Sequence, residues 1–491
     1  MGIIIKQSIK STIYSYIGAA LGFVNVSLLM PKFLSTEEIG LINFIFPLVL
    51  ILSQFSGLGL GTLIYRIFPY FRNPKKNHNG FFTLGFVISI IGSLIAIILY
   101  FSLKSQFLVG RHDGIEVKNY IFYVLPLTII TIYLNYFDNF FKALFNVTIA
   151  VFLKEILMRV LIMLVIVTYF FKWIDFESFI LFYFLSYSLP TVILGFILFL
   201  KGEFVFKRPR PFIITKLKKA MINISLFGLI TGFGNIAIMN IDKLMIERFI
   251  GLSAVGIYSI TFYFATMILL PARSIQKIAT IILSESWKNN DLENIKTIYV
   301  KSTITQLIIG FYIFVGLWAN VDNIISVIGS EFETGRYVIF FIGLTNMVIM
   351  LAGVTPSIIA TSKKYIYAAI FMFIMLILIV ITNLIFIPIY GVAGAALASF
   401  ISMFITSFLR YLFVWKQFKL QPYNYKHLII LGIAILSYFI STNLPNLNNP
   451  YFDVVFKGAI ISLLFGILVY FSKVSEDINE KADFFLKKIL K

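Results

Sequence analysis

The sequence predicts an all-α integral membrane protein of about fourteen transmembrane helices, with both termini in the cytoplasm. Two features of the composition point to a membrane: 59% of the 491 residues are hydrophobic, and only 13% are charged. Soluble domains average roughly 45–50% apolar and about 25% charged residues. A third observation, the unequal number of Lys and Arg residues in alternate loops, predicts the orientation.

The apolar residues fall into runs long enough to span a bilayer. A hydrocarbon core about 30 Å thick needs roughly 20 helical residues at 1.5 Å rise per residue. Such runs lie near 11–31, 39–64, 80–103, 119–140, 150–171, 177–200, 221–241, 252–272, 299–319, 337–360, 365–387, 391–413, 427–442 and 453–472. So many runs in series cannot all bury one another, so they are predicted to face lipid. The second run is overlong and is interrupted by Gly57, Gly59 and Gly61.

The loops between these runs predict the topology. With the N-terminus inside, the cytoplasmic loops and tails contain 30 Lys and Arg residues, and the outer loops contain 9. This asymmetry is typical of membrane proteins, and a miscount by one helix would remove it. The first ten residues are only weakly basic and no small-residue cleavage site follows, so the first run is expected to remain as a helix.

The composition also argues against several classes of function. The formal charge of +19 does not indicate nucleic-acid binding, because the basic residues are confined to short loops. There is no Cys for a disulfide or a thiolate metal site, and only His78, His112 and His427, all in predicted loops, for zinc or triad chemistry. The longest outer loops, near 104–118 and 320–336, carry no catalytic constellation. We therefore expect binding and conformational change, and not an enzyme.

The segment 201–220 is basic, contains Pro209 and Pro211, and separates six predicted helices from eight. We expect an N-lobe of helices 1–6 (1–200), this cytoplasmic linker (201–220), a C-lobe of helices 7–12 (221–415), helices 13–14 (416–472) and a basic amphipathic tail (473–491). Residues 29–41 resemble residues 245–257 at a constant offset of 216, which pairs Gly40 with Gly256. A parallel repeat about the membrane normal would explain this similarity; chance likeness of apolar helices is the alternative.

Charged residues within the fourth and fifth runs are the main candidates for a functional site, because a charge at mid-membrane is costly and is expected to face a cavity. Glu155 and Arg159 have the i,i+4 spacing and polarity of an intrahelical ion pair, as do Asp138 and Lys142. Lys154 projects about 100° away from Glu155 on a regular helix. Mutual neutralisation and snorkelling to the cytoplasmic face are the alternatives.

Two further charged residues and a set of polar residues are candidates. Arg66 lies near the inner end of the second run, where a positive-inside anchor is the alternative. Asp242 closes the seventh run on the outer side and is a candidate cation site, gate or surface ion pair. Polar side chains deeper in the runs could line a cavity or bridge helices: Asn25, Ser53, Gln54, Asn235 and Asn383.

Several short motifs carry a family resemblance. The run that includes Asn383, Pro388, Tyr390, Gly391 and Gly394 resembles the turn between helices 11 and 12 of bacterial polysaccharide-export flippases. These flippases belong to the multidrug/oligosaccharidyl-lipid/polysaccharide exporter superfamily. Glu38-Ile39-Gly40 and Asp242 followed by Gly256-Ile257-Tyr258 resemble the paired early-helix signatures of that family. Together with topology and length, the resemblance covers essentially the whole chain and points to the O-antigen or capsule repeat-unit branch.

The resemblance implies translocation of an undecaprenyl-diphosphate-linked oligosaccharide across the bacterial cytoplasmic membrane by alternating access. It assigns diphosphate binding to Arg159, Lys154, Lys142 and Arg66, and gating or ion coupling to Glu155, Asp138 and Asp242. It implies no cofactor beyond a coupling Na⁺ or H⁺, a monomer among membrane lipids, and a polysaccharide polymerase and chain-length machinery as partners. Related lipid II flippases have basic residues in helix 1, whereas this sequence has none between Lys10 and Lys32.

Two other functions are weighed against this one. An efflux pump of the same superfamily for small organic cations would need a mainly acidic interior, and the candidate interior residues are net basic. A polysaccharide polymerase or lipid-linked glycosyltransferase would need a long external loop with Arg, His or paired acids, and the predicted loops are short.

Overall fold

The computed structural model describes residues 2–108, 110 and 115–489 of the chain. Those residues form helices and loops without a β-strand, which confirms the predicted all-α class. His112 and the last two residues of the predicted tail 473–491 lie outside the described residues. The chain divides into two compact units, Met1–Gly256 and Ile257–Lys491. The lobe and linker boundaries expected from the sequence remain predictions.

The first unit consists of consecutive helices joined by short turns. In chain order they are α1 (Gly2–Phe23), α2 (Met30–Phe33), α3 (Thr36–Ser56), α4 (Leu60–Phe71), α5 (Phe81–Phe107), α6 (Val124–Ala143), α7 (Val147–Phe152), α8 (Met158–Phe170), α9 (Phe176–Leu200) and α10 (Pro211–Phe249). Two π-helical segments, Val24–Leu29 and Leu153–Leu157, join α1 to α2 and α7 to α8 without a break in the helical rod. Helix α11 (Leu252–Thr266) begins in this unit and continues into the next.

The second unit has the same helical character. Its helices are α12 (Leu270–Lys288), α13 (Leu292–Ala319), α14 (Val321–Ile328), α15 (Arg336–Ala352), α16 (Thr355–Thr361), α17 (Ile366–Phe418), α18 (Tyr425–Thr442), α19 (Pro450–Ser472) and α20 (Glu476–Ile489). The tail helix α20 is joined to α13 by an ion pair of 2.9 Å between Asp477 and Lys301. Tyr470 of α19 donates a hydrogen bond of 2.6 Å to Asp483.

Twelve helices within the described residues are long and apolar enough to cross a membrane. One of them, Ile366–Phe418, has 53 residues and would be about 80 Å long if straight, more than twice the roughly 30 Å hydrocarbon core. It bends at Gly391, where φ is 61° and ψ is −137°, and so covers both predicted runs 365–387 and 391–413. The rod Val147 to Phe170, interrupted by its π-helical segment, covers the predicted run 150–171. The number fourteen and the cytoplasmic termini remain predictions.

Aromatic rings fill the core of the first unit. The ring of Phe68 on α4 contacts Phe81 on α5 at a centroid distance of 5.2 Å and Phe140 on α6 at 5.6 Å. Tyr136 is buried, and its hydroxyl donates a 2.7 Å hydrogen bond to the carbonyl oxygen of Phe82. Edge-to-face ring pairs of this kind add about 0.5–1.5 kcal/mol each beyond their buried area. They hold α4, α5 and α6 in fixed register, which positions the polar residues on α6.

A buried ion pair anchors α19 in the second unit. Lys457 and Asp453 are 2.8 Å apart, and both side chains are less than a tenth exposed. Asn323 of α14 donates a 2.7 Å hydrogen bond to the same carboxylate, and Lys457 donates one of 2.6 Å to Asn446. Because buried charges are stable only when paired and hydrogen-bonded, this network fastens α19 to α14 and to the loop before α19. Lys457, one of the nine basic residues counted on the outer side, thus lies within α19, in agreement with the predicted run 453–472.

Gly40 and Gly256 lie where α3 crosses α11 with no space for a side chain. A Cβ atom on Gly40 would lie 1.9 Å from the carbonyl oxygen of Leu252, and a Cβ atom on Gly256 would lie 1.9 Å from that of Thr36. Thr36 and Leu252 are themselves separated by the repeat offset of 216. The two contacts are thus reciprocal, which is the geometry of a local two-fold axis passing between the glycines. The Thr36 and Ser253 hydroxyls add a hydrogen bond of 2.7 Å to the crossing.

We expect Gly40→Ala and Gly256→Ala to lower stability by similar amounts, about 1–3 kcal/mol each, because either methyl group would force the two backbones apart. Thermal unfolding of the purified protein in detergent measures this. Gly458→Ala on α19 is the control, because a Cβ atom there would meet nothing within 4 Å. Melting temperatures equal to that of the control would show that the crossing is not tight.

Candidate functional site

A buried carboxylate on α6 binds two lysines at the same oxygen atom. Asp138 is 4% exposed. The Nζ atoms of Lys142 and Lys154 lie 2.9 Å and 3.0 Å from its Oδ2 atom. Lys142 comes from the next turn of α6, whereas Lys154 comes from the π-helical segment Leu153–Leu157. The three side chains therefore form an ion triad with one net positive charge that links two neighbouring helices.

The residues next to Lys154 form a second ion pair. Nη2 of Arg159 lies 2.9 Å from Oε2 of Glu155, and both side chains are partly buried. The Nε atom of Arg159 is buried and has no hydrogen-bond partner among the described residues. The guanidinium group thus keeps one donor for a further acceptor. The cluster of Asp138, Lys142, Lys154, Glu155 and Arg159, which we name the charge cluster, has three cations and two anions.

Helix α1 and its π-helical extension pack against the charge cluster. Gly18 of α1 lies so close to Glu155 that a Cβ atom on the glycine would be 2.7 Å from the Glu155 Cβ atom and backbone oxygen. Further along the same rod, Asn25 donates a 2.8 Å hydrogen bond to the carbonyl oxygen of Arg159. Asn25 therefore bridges two helices by a hydrogen bond, whereas lining a cavity was the other role considered for it. One side of the charge cluster is closed by backbone contact at Gly18 and by this hydrogen bond.

The π-helical segment carries Lys154 and Glu155 themselves. An extra residue in a helical turn changes the direction of the side chains that follow, and such segments occur frequently at functional sites. Lys154 binds Asp138, 16 residues before it. Sequence spacing predicts pairs within a helix, such as Glu155 with Arg159, but gives no means of predicting this contact between helices.

The two other charged candidates, Arg66 and Asp242, lie on α4 and α10. Arg66 is exposed on α4, and its guanidinium carbon is 6.0 Å from the centroid of the Phe227 ring on α10, at the limit of a cation–π contact. Asp242 is 5% exposed on α10. Its neighbour Lys243 donates a 2.8 Å hydrogen bond to Asn43 of α3. Lys243 thus takes part in the packing of α10 on α3.

A polar cavity of about 250 Å³ adjoins the break between α3 and α4. The helical rod is interrupted at Leu58 and Gly59, where φ is +50° and +68°. The polar side chains that line the cavity are Ser53, Gln54, Thr62, Asn135, Tyr136, Asn139, Thr231 and Asn235. Sequence reasoning identified the glycine-rich interruption, Ser53, Gln54 and Asn235. It did not identify Asn135 and Asn139, although their spacing of four residues places them on one face of α6, one turn before Lys142.

Small residues allow α10 to approach this break. A Cβ atom on Gly232 would lie 2.1 Å from the amide nitrogen of Gln54, and one on Gly228 would lie 2.5 Å from the hydroxyl of Thr62. Gly228 and Gly232 form the small-xxx-small spacing that permits close packing of transmembrane helices. Asn383, the remaining polar candidate, is fully buried in α17 of the second unit. Among the residues that the structure describes, no group of three His, Asp or Glu residues is placed to hold a metal ion.

A family model described as a polysaccharide biosynthesis protein matches residues 4–282. No curated protein matches the chain. Among solved structures, the lipid II flippase MurJ in an inward closed conformation aligns with a TM-score of 0.74 at 15% identity, over 94% of this chain and 99% of MurJ. An inward-facing multidrug resistance MATE family transporter of the MOP superfamily aligns with a TM-score of 0.64 at 16% identity, over 83% of this chain and 94% of its own. The Vibrio cholerae MATE transporter VcmN aligns with a TM-score of 0.58 at 11% identity, over 85% and 98%. The chain is thus a multi-pass membrane protein with the fold of flippases and transporters.

We expect Asp138→Asn to destabilise the protein by about 1–3 kcal/mol, because it leaves two partly buried ammonium groups without their carboxylate. The double variant with Asp138→Asn and Lys154→Met should be more stable than the single variant, because one uncompensated charge is gone. Thermal unfolding of both variants measures this, with Glu293→Gln, an exposed site on α13, as control. A single variant as stable as the control would show that the triad does not stabilise the fold.

Proposed function

Because the family model matches residues 4–282, more than half of the chain, the chain belongs to the polysaccharide biosynthesis protein family, and we propose that it is a flippase. Its substrate in this proposal is an oligosaccharide repeat unit linked to undecaprenyl diphosphate. The protein moves this lipid from the inner to the outer leaflet of the bacterial cytoplasmic membrane by alternating access. The glycan is an O-antigen or capsule repeat unit.

The charge cluster is the observation that carries this proposal. A diphosphate group needs several cations in a site shielded from bulk water, where charge-assisted hydrogen bonds are strong. Lys142, Lys154 and Arg159 supply three cations within two adjacent helices. Within the protein Asp138 binds both lysines. A diphosphate replaces this internal anion, and the free Nε donor of Arg159 adds a bond to it.

The remaining charged residues act in gating and coupling. Arg66, exposed on α4, adds a fourth cation on the approach of the headgroup. Glu155 is released from Arg159 when the arginine turns to the diphosphate, which makes its carboxylate available to a proton or Na⁺. Asp242 on α10 has the same role at the outer end of the seventh predicted span. In this scheme the protein works as a monomer, driven by an ion gradient or the membrane potential, and delivers its product to a polysaccharide polymerase and chain-length machinery.

The charge balance disfavours the related function of exporting organic cations. MATE transporters share the fold, but a cluster with three cations and two anions repels a cationic drug. A polymerase or glycosyltransferase is disfavoured because it would need a long external loop for its catalytic residues, and the described helices are joined by short segments.

We expect Arg159→Ala to abolish delivery of the glycan to the outer leaflet while the protein remains folded and inserted. The reason is the loss of both the guanidinium charge and its buried donor. The measurement is surface polysaccharide in cells that depend on the variant, together with the accumulation of lipid-linked oligosaccharide inside. Arg208→Ala, in the exposed segment after α9, is the matched control. Normal surface polysaccharide in the Arg159→Ala strain would contradict the assignment.

Glu155→Gln and Asp242→Asn should separate binding from coupling. Both variants are expected to bind undecaprenyl diphosphate with near wild-type affinity, because no cation is removed. In proteoliposomes, the stimulation of transport by an imposed H⁺ or Na⁺ gradient should be at least tenfold smaller in these variants than in the wild-type protein. Glu293→Gln again serves as the control. Stimulation that persists in both variants would exclude these carboxylates from coupling.

A further inference from the structure

The polar cavity beside the α3–α4 break is chemically distinct from the charge cluster. Its lining contains amides and hydroxyls from four helices, and no carboxylate, ammonium or guanidinium group is among the described lining residues. A neutral lining of this kind offers nothing to compensate a phosphate or a metal ion. It is suited to an uncharged ligand with several hydroxyl groups.

Two of the amides in this cavity, those of Asn139 and Asn235, are held by hydrogen bonds to the backbone. Asn139 donates a 2.7 Å hydrogen bond to the carbonyl oxygen of Asn135, and Asn235 donates one of 2.9 Å to that of Thr231. Each bond uses one of the two N–H donors of the side chain and leaves its oxygen, with two acceptor positions, for another partner. Preorganised amides with both donors and acceptors are typical of sites that fix the orientation of a polar ligand.

The break in the helical rod adds backbone groups to the same cavity. Helix α4 begins at Leu60 directly after Gly59, and Gly57, Gly59 and Gly61 all line the cavity. The first N–H groups of a helix have no partner within the helix; here the N–H of Leu60 donates to the carbonyl oxygen of Gly57. In a membrane-embedded segment such irregular backbone is tolerated where it lines a polar cavity or is buried in protein. The break therefore supports the view that this cavity holds polar groups.

The cavity and the charge cluster share helix α6. Asn135, Asn139 and Lys142 lie on successive turns of one face, and the rise from Asn135 to Lys142 is about 10 Å. When the diphosphate of the lipid-linked headgroup lies at Lys142, the group attached to that diphosphate therefore lies near Asn139 and Asn135. The volume of about 250 Å³ is below the roughly 300–1,000 Å³ of pockets for drug-sized ligands, so it accommodates one small ring and not a whole oligosaccharide.

We propose that this cavity is a sugar subsite that binds the first, uncharged sugar ring attached to the diphosphate. The proposal rests on the flippase function proposed above and adds to it a site for the glycan itself, at the α3–α4 break. Asn135, Asn139 and Asn235 bind the ring hydroxyls in this site, and Gln54 closes it on the side of α10. Recognition of the glycan is thereby separated from recognition of the diphosphate.

The test compares two ligands on purified full-length protein in nanodiscs. The first probe is undecaprenyl diphosphate without sugar, and the second is the lipid-linked oligosaccharide isolated from the host cells. The variants are Asn139→Leu, Asn235→Leu and Gly232→Ala, the last of which pushes the Gln54 amide into the cavity without removing a polar group. Asn240→Leu is the matched control, because Asn240 also lies on α10, donates to its i−4 carbonyl at 2.8 Å and does not line the cavity.

Wild-type protein and the Asn240→Leu control are expected to bind the glycosylated lipid at least tenfold more tightly than the bare lipid. The three cavity variants should bind the glycosylated lipid about tenfold more weakly than wild type, which is the effect of losing one or two hydrogen bonds. They should bind the bare lipid with the affinity of the wild-type protein. Equal affinity of the wild-type protein for the two lipids would overturn the sugar subsite and leave the flippase function standing. An equal loss of affinity for both lipids in the cavity variants would have the same meaning. Wild-type protein that binds neither lipid would overturn the proposed function and the subsite together.

Discussion

A carboxylate in the lipid-embedded part of a protein must be neutralised, and the side chain of Asp138 is the group on which the polar interior of the first unit depends. It is neutralised by two ammonium groups at a single oxygen atom. One of them must come from another helix, so the rod from Val147 to Phe170 has to approach α6 with Lys154 facing it. The π-helical segment Leu153–Leu157 is located where that contact is made. Because the same segment also carries Glu155, the packing of Gly18 against it is part of the same arrangement.

The pattern of the sequence predicts much of this architecture for identifiable reasons. Apolar runs of about 20 residues and the Lys and Arg bias depend on the bilayer alone, so the all-helical membrane fold follows from composition. The pairing of Glu155 with Arg159 follows from helical spacing. The interruption of the second run is visible because three glycines occur at alternate positions from 57 to 61. Gly391 similarly marks the bend within the 53-residue helix α17.

What sequence reasoning missed depends on contacts between helices. The bond from Lys154 to Asp138 requires a change from α to π geometry, for which the segment Leu153–Leu157 shows no distinctive residue type. Asn135 and Asn139 were missed because an amide in a transmembrane helix more often bonds its own backbone. Here the Asn139 side chain does so, to the carbonyl oxygen of Asn135, and both residues also line a cavity. Asp453 and Lys457 fall at the start of the predicted run 453–472, but the sequence gives no sign of the partners of their ion pair, which come from α14 and the preceding loop.

The reciprocal contact of Gly40 and Gly256 has an implication for the history of the chain. Gly40 faces the backbone oxygen of Leu252, and Gly256 faces that of Thr36. Thr36 and Leu252 each lie four residues before one of the two glycines, at equivalent positions of the two similar segments. In an ancestor with a single copy of the repeat, the same axis would have brought this glycine against its own counterpart in a symmetric dimer. Duplication and fusion of the gene would then have preserved the contact, because neither copy could acquire a larger side chain without the other backbone moving. The crossing has the geometry that fusion of two copies of a self-associating ancestor would leave within one polypeptide.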